Sequence, residues 1–421
     1  MSASPVTDEA NLSRLPGPAD YDVIIVGAGI AGLTAAWQLR DHRVLILEAA
    51  ERPGGRICSE PRGDYWLNLG PHLFPGPETV LGTLVTSMGL RTRPVTGSTQ
   101  ALSFAHALLT SGGTSAFPFR LPLSLPARAS LLRAGIAIRR GVRAYVRLGR
   151  RGPGQTEADV TAQLLAFKDD RSFADFLGPL HPDADAILRA AIRRVSADPE
   201  ELSAGAGIAQ FATTFSRAGT SLHHNLPGGA SVLIRTIADR LAGRLRTSCQ
   251  VTSVRQGGAV AEVDWITDGH RHSAQSRNVI VATPAGTARE IIAGLPPDTA
   301  SALGAIRYGP YVVAALLTAE TGPMPWDSIY AMVTPRCSFN MFFNTVNVLR
   351  DGARQPGGSL MVYGASDLAR ILDSSTDDEV IAAFLPDLAA IFPGLPALVS
   401  EARVQRWPQG IPYSAPGRHT W

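Results

Sequence analysis

Cysteine is scarce in this 421-residue chain. Cys58, Cys249 and Cys337 are the three present, and no two form a CxxC pair. A disulfide framework and a cysteine zinc site are therefore excluded. Lysine is scarcer still: Lys168 stands alone against 38 arginines. Acidic residues vanish from one long stretch, with none between Glu78 and Glu157, where eleven arginines occur. Long hydrophobic runs are also missing. The uncharged stretch 23–39 has three glycines in its first ten positions and is too short for a bilayer, so it reads as a buried strand entering a helix. Residues 1–20 lack an apolar core and are rich in Ser, Pro, Ala and Asp, which predicts a disordered leader, no signal peptide and a cytoplasmic protein. A net charge of +3 gives no reason to expect a nucleic-acid partner. His270 and His272 could share a strand face, but no third ligand stands nearby and no metal is expected.

What is there suits a folded protein of two or three domains, with 45% hydrophobic residues. Residues 22–75 alternate short apolar runs with glycine turns. Residues 76–220 read as mostly helical, with proline interruptions at 118–126. Residues 226–290 return to a helix and strands, and 305–365 carry strand-like runs followed by a helix near 377–392. This order predicts an α/β domain interrupted by a second domain.

The densest local signal begins at Asp22. An apolar strand feeds Gly27-Ala28-Gly29-Ile30-Ala31-Gly32, and that turn opens an amphipathic helix. Gly27 allows a tight turn, Gly29 lets backbone approach a pyrophosphate, and Gly32 lets helix and strand pack closely. A second strand ends at Glu48, 21 residues after Gly27, where an acid can accept hydrogen bonds from a ribose. Then come Ala49, the pair Gly54-Gly55, and Arg56, whose forked donors suit phosphate. Gly70-Pro71-His72 follows.

With these residues the chain resembles the flavoprotein group that includes protoporphyrinogen oxidases, monoamine oxidases and phytoene-type desaturases. Three later segments are similar to that group's pattern. They are Leu226-Pro-Gly228-Gly229 with a strand carrying Val251, a strand ending at Ala282-Thr283-Pro284, and Arg406-Trp407-Pro-Gln-Gly410. The resemblance implies FAD as cofactor, and a single GxGxxG implies no separate nicotinamide site. It further implies an α/β fold: a discontinuous Rossmann-like FAD-binding domain (21–75 and 226–290, with a last part after about 405) and an inserted α+β substrate domain (76–225 and 291–404). Implied cofactor contacts are Gly27, Gly29, Ile30, Ala31, Gly32, Glu48, Ala49, Gly54, Gly55, Arg56, Gly70, Pro71, His72, Val251, Ala282, Thr283, Pro284 and Trp407. Members of the group continue past the Trp-Pro-x-Gly-x-Pro segment to close over the flavin, whereas this sequence stops at Trp421. The resemblance thus implies a cofactor domain without its last piece and with weakened FAD binding.

Amine oxidases of this group commonly carry a lysine after a Tyr-Gly-Pro-like stretch. Here that stretch is Tyr308-Gly309-Pro310, and Val313 stands near the lysine's place. Lys168 reads as part of an exposed helical segment. The resemblance therefore favours an FAD-dependent oxidoreductase that dehydrogenates a hydrophobic or cyclic small molecule by hydride transfer, with oxygen as acceptor. Two alternatives stay open. One is an impaired or truncated flavoprotein that binds a ligand or partner; the other is an amine oxidase without the usual lysine. His72 is the one weak catalytic candidate, weighed against a histidine that merely stabilises a turn. Finally, arginines 133–151 fall on an arc of about 120° of a helix. That basic face, within residues 128–151, suits contact with the inner face of a membrane, the alternative being an ordinary solvated face.

Overall fold

The computed structural model describes residues 13–14, 20–212, 222–350 and 354–420. The expected leader lies almost wholly outside them. Two compact units emerge: Met1–Ile57 with Ser231–Ile306, and Cys58–Ala230 with Arg307–Trp421.

In the first unit the strand Tyr21–Val26 is central. It pairs in parallel with Val44–Leu47 on one side and with the second half of His270–Val281 on the other. Leu245–Arg246 extends the parallel half beyond Val44–Leu47. The first half of His270–Val281 instead runs antiparallel to Val260–Thr267, which pairs antiparallel with Gln250–Gly257. Residues 23–26 and 44–47 are buried throughout, which is why both strands read as continuous apolar runs rather than alternating ones. Ile24, Val26, Leu45 and Leu47 pack with Val263 and Trp265 in one core. Parallel strands joined through the helix Ile30–Gln38 make this unit Rossmann-like, as the motif predicts.

The second unit is built on a mostly antiparallel sheet. Its order is Val399–Tyr413, Arg307–Thr318, Gly358–Ala365, Met341–Asn344, Ala331–Val333, Ala101–Phe104 and Ala107–Leu109. Alternation along the strands separates two faces. Val312, Ala314, Leu316, Leu360 and Val362 pack under the helix Asp377–Ile391 through Val380, Phe384 and Leu388. Val313, Met341, Phe343, Met361 and Tyr363 occupy the opposite face. A separate helical layer centres on Leu125–Leu148, which starts at a Ser124 cap and buries Leu131, Ala134, Ile138 and Val142.

Several expectations shift. The boundary falls at Ile57 rather than 75, because the hairpin Ser59–Arg62/Tyr65–Asn68 packs Leu67 against Ala315 and Trp66 against Val346. Residues 405–421 lie in the second unit, where Val399–Tyr413 pairs along Arg307–Thr318. The stretch 76–220 contains the hairpin Ala101–Phe104/Ala107–Leu109 between the helix Val80–Ser87 and its later helices. Lys168 is no helical residue; it adopts φ 48° after the helix Glu157–Ala166, half-buried, with its ammonium over the Phe167 and Phe176 rings. No helix among the described residues is long and apolar enough to cross a membrane.

Candidate cofactor and substrate site

The glycine turn of the first unit shows three different physical requirements. Gly27 has φ +99°, and a Cβ there would come 2.9 Å from the Ala282 carbonyl oxygen. A Cβ on Gly32 would lie 2.0 Å from the Gly27 carbonyl oxygen, so only glycine lets helix and turn meet. A Cβ on Gly29 would meet no protein atom within 4 Å. That direction is open. Gly29 is also the N-cap of Ile30–Gln38, without a side-chain cap and without an acid in the first turn. The leading N–H groups of Ile30, Ala31 and Gly32 therefore lack the side-chain acceptor such a start usually has, which suits an anion.

Around this turn the structure gathers most of the other predicted residues of the unit. Glu48 accepts from the Ala28 N–H at 2.7 Å and the Ala50 N–H at 2.9 Å, so its carboxylate is fixed while a second lone pair remains on each oxygen. Gly54 donates its N–H to the Ala28 carbonyl at 2.8 Å and bridges Gly29; Gly55, with φ +55°, lies alongside. Arg52, which sequence reasoning passed over, braces this loop by donating to the carbonyls of Pro53, Gly55 and Ile57. Arg56 and Ala49 are exposed. The Ala282 N–H donates to the Val26 carbonyl at 2.8 Å, and Pro284 caps the helix Ala285–Ile291, placing Ala282, Thr283 and Pro284 at the end of the central strands. Val251 stands apart on the outer strand, opposite Trp265. An uncapped helix start, an open glycine and a fixed acid fit a pyrophosphate and a ribose; Ile30, Ala31, Gly32 and Glu48 would hold them.

The remaining predicted residues belong to the second unit. The Gly70 carbonyl accepts from Asn68 Nδ2 at 2.7 Å and faces His72 Nδ1 at 3.3 Å. Since a carbonyl only accepts, that contact puts the ring proton on Nδ1 and leaves Nε2 an acceptor. His72 Nε2 and Asn68 Oδ1 are buried with no partner among the described residues. Burial pushes the His72 pKa down to about 4, against a smaller upward pull from Gly70, so the ring is neutral at physiological pH. Pro71 is exposed, and Trp407 donates Nε1–H to the Leu69 carbonyl at 2.7 Å.

Beside His72 lies an aromatic wall that the sequence reading did not single out. The His72 ring meets Phe343 edge-on at 4.8 Å, Phe343 stacks on Tyr363 at 5.8 Å, and Tyr363 meets Tyr311 edge-on at 5.2 Å. Tyr330, 6.0 Å from His72, takes a hydrogen bond from buried Asn225. Desolvation raises the Tyr311, Tyr330 and Tyr363 phenols, which stay protonated. Buried Val313 packs within this wall. The period of two in Tyr311 and Val313 was readable from Arg307–Thr318; Tyr330 and Phe343 reach the wall from distant sequence and carried no local signal.

The chain is similar to known proteins. The profile of the family described as "Flavin containing amine oxidoreductase" matches residues 30–420. An L-amino acid oxidase of Crotalus durissus cumanensis is 42% identical over 71 residues, covering 16% of this chain and 14% of that protein. The coproporphyrinogen III oxidase of Staphylococcus aureus is 40% identical over 88 residues, covering 20% and 19%. Sequence matches thus span well under two thirds of these relatives' lengths. The solved cyclohexylamine oxidase of Brevibacterium oxydans shares the fold at TM-score 0.73 and 20% identity, over 94% of this chain and 88% of that one. FAD is the cofactor of this family, and this chain belongs to it: it is a flavin-containing amine oxidoreductase family member.

Proposed function

We propose that the protein is an FAD-dependent oxidoreductase that dehydrogenates a hydrophobic or cyclic small molecule. Bound FAD supplies the hydride acceptor, with oxygen as the terminal oxidant. The chain supplies place and surroundings. The observation that carries this reading is the wall of His72, Phe343, Tyr363 and Tyr311 around Val313, a surface for a flat or cyclic apolar body. Its aromatic and aliphatic groups exclude water, and neutral His72 offers an acceptor at Nε2 that can orient a donor. Valine where the resemblance expects lysine favours this substrate class over simple amines.

The test is anaerobic bleaching of the flavin-loaded protein, comparing coproporphyrinogen with cyclohexylamine. Faster bleaching by the porphyrinogen, with colour restored by air, is expected. Bleaching by the amine alone would replace this reading with amine oxidation.

The same reading includes a peripheral contact with an anionic membrane surface through the helix Leu125–Leu148. Arg133, Arg139, Arg140, Arg143 and Arg147 are exposed along it, and no ion pair to an acid involves them among the described residues. Leu125 and Ile136 are exposed on the same face, at 76% and 53%. Apolar side chains amid unneutralised cations suit a lipid interface.

A further inference from the structure

The strand Gly358–Ala365, which carries Tyr363 of the aromatic wall, passes directly into the short helix Asp367–Ile371 through Ser366. Ser366 is wholly buried and stands at φ 56°, ψ −127°. That is the backbone of the first central residue of a type II′ turn, which glycine adopts freely and a residue with a Cβ holds only at a cost. A serine kept there needs surroundings that over-determine it.

Its hydroxyl and its N–H are both held. Ser366 Oγ donates to Asp198 at 2.6 Å, with Glu201 at 3.2 Å. Asp198 is fixed in turn: Arg193 and Arg189 donate to its other oxygen at 2.7 and 3.2 Å, and its side chain is 5% exposed. The Ser366 N–H donates to the Pro310 carbonyl and to Ser196 Oγ, each at 3.2 Å, and Ser196 Oγ donates to the same Pro310 carbonyl. One residue earlier, the Ala365 N–H donates to Asn340 Oδ1 at 2.6 Å. A strained serine between a strand and a helix is also the shape of a hydrolase's nucleophile elbow. Here the hydroxyl is buried and turned to carboxylates, so it holds rather than attacks.

What it holds is the wall. Tyr311 pairs with Ala365 across the two strands. The pairing of Arg307–Thr318 with Val399–Tyr413 shifts register between Gly309 and Tyr311, so the strand bulges at Pro310. A bulge re-aims the side chain beside it, here Tyr311. A Cβ on Gly309 would sit 1.8 Å from the Ser196 carbonyl oxygen, and Tyr311 OH donates to the Arg194 carbonyl at 2.7 Å. The bulge, the strand end at Ala365 and the turn around Ser196 therefore meet at Ser366.

We propose that Ser366 is a positioning residue: held in a strained backbone conformation by Asp198, it pins the bulged strand end and thereby sets the Tyr311 and Tyr363 rings. This rests on the functional reading above, which lays the substrate along those rings, and adds the device that keeps them in place. Ser366 takes no part in bond breaking.

The test compares Ser366→Ala with Ser366→Gly in the full chain labelled with 3-fluorotyrosine. The Tyr311 and Tyr363 fluorine resonances are assigned from Tyr311→Phe and Tyr363→Phe. Alanine loses the bond to Asp198 and keeps the backbone cost, whereas glycine loses bond and cost together. Ser366→Ala should displace both resonances and leave that of Tyr65 in place. Ser366→Gly should return them to their wild-type positions and melt about 2 °C or more above Ser366→Ala, the reverse of the usual order of these two residues. Unmoved resonances in Ser366→Ala, or a Ser366→Gly variant that is displaced as far or melts lower, overturns the assignment. If Ser366→Ala does not fold, Ser366→Gly decides alone: wild-type resonances support the assignment, and a displaced or unfolded variant overturns it. The measurement needs no flavin, so its failure leaves the bleaching test untouched, while failed bleaching overturns the functional reading and leaves the role of Ser366 in the wall standing.

Discussion

At His72 burial displaces a titration that lies within the ordinary working range of pH. Unfolded, the residue titrates near the ordinary histidine value of 6.5; folded, burial moves it to about 4. Above about pH 6.5 neither state binds its proton, and the residue contributes no pH dependence. Between 6.5 and 4 the unfolded chain binds a proton that the folded one refuses, so stability falls as pH falls. The loss levels off below 4 at about 3 kcal/mol. Urea unfolding at pH 7 and pH 5 should therefore show about 2 kcal/mol less stability at pH 5 from this group, and His72→Gln should lack that component. An unchanged pH slope in the variant would count against the neutral buried ring. The histidine itself was visible in Gly70-Pro71-His72. Its neutrality was not, because desolvation comes from Tyr330 and Phe343, which lie far along the chain.

At the scale of elements, legibility follows how local the cause is. The helix Leu125–Leu148 was readable from its own arginine arc, and the two glycines within it, Gly135 and Gly141, differ in their surroundings. Gly141 lies where a Cβ would press on Ile208 at 2.8 Å, so its small size is used in packing; Gly135 has only open space around it. The hairpin Ala101–Phe104/Ala107–Leu109 was not readable, since it is stabilised by pairing with Ala331–Val333, remote in sequence. The exposed face of the long helix gives an element-scale prediction. The protein should sediment with vesicles of phosphatidylcholine and phosphatidylglycerol but not with phosphatidylcholine alone. Binding should weaken as salt rises, and the pair Arg140→Glu and Arg143→Glu should lower it roughly tenfold or more. Equal sedimentation with neutral vesicles, or indifference to the two substitutions, would contradict a charge-driven contact.

For the whole molecule, the first unit was largely visible in advance because a strand, a glycine turn, a helix and an acid follow one another within residues 21–48. The second unit was visible in outline only. Its sheet draws strands from residues 101–109 and from 307–413, and its aromatic wall forms only when those strands are assembled. This is also why the boundary moved from 75 to Ile57: the hairpin beginning at Ser59 finds its apolar partners in the second sheet. The proposed roles divide accordingly, with the dinucleotide site we propose written in a local motif and the proposed substrate wall in tertiary contacts. The most direct test joins the open Cβ direction at Gly29 to the cofactor. Flavin retention and melting temperature should be measured for the wild type and for Gly29→Ala. Gly29 has φ −67° and an unobstructed Cβ direction, so the variant should melt with the wild-type apoprotein. It should bind FAD roughly tenfold or more weakly, because the added methyl fills the space left for the pyrophosphate. A wild-type chain that stays colourless with excess FAD, or a Gly29→Ala variant that binds FAD as tightly as the wild type, would contradict the account.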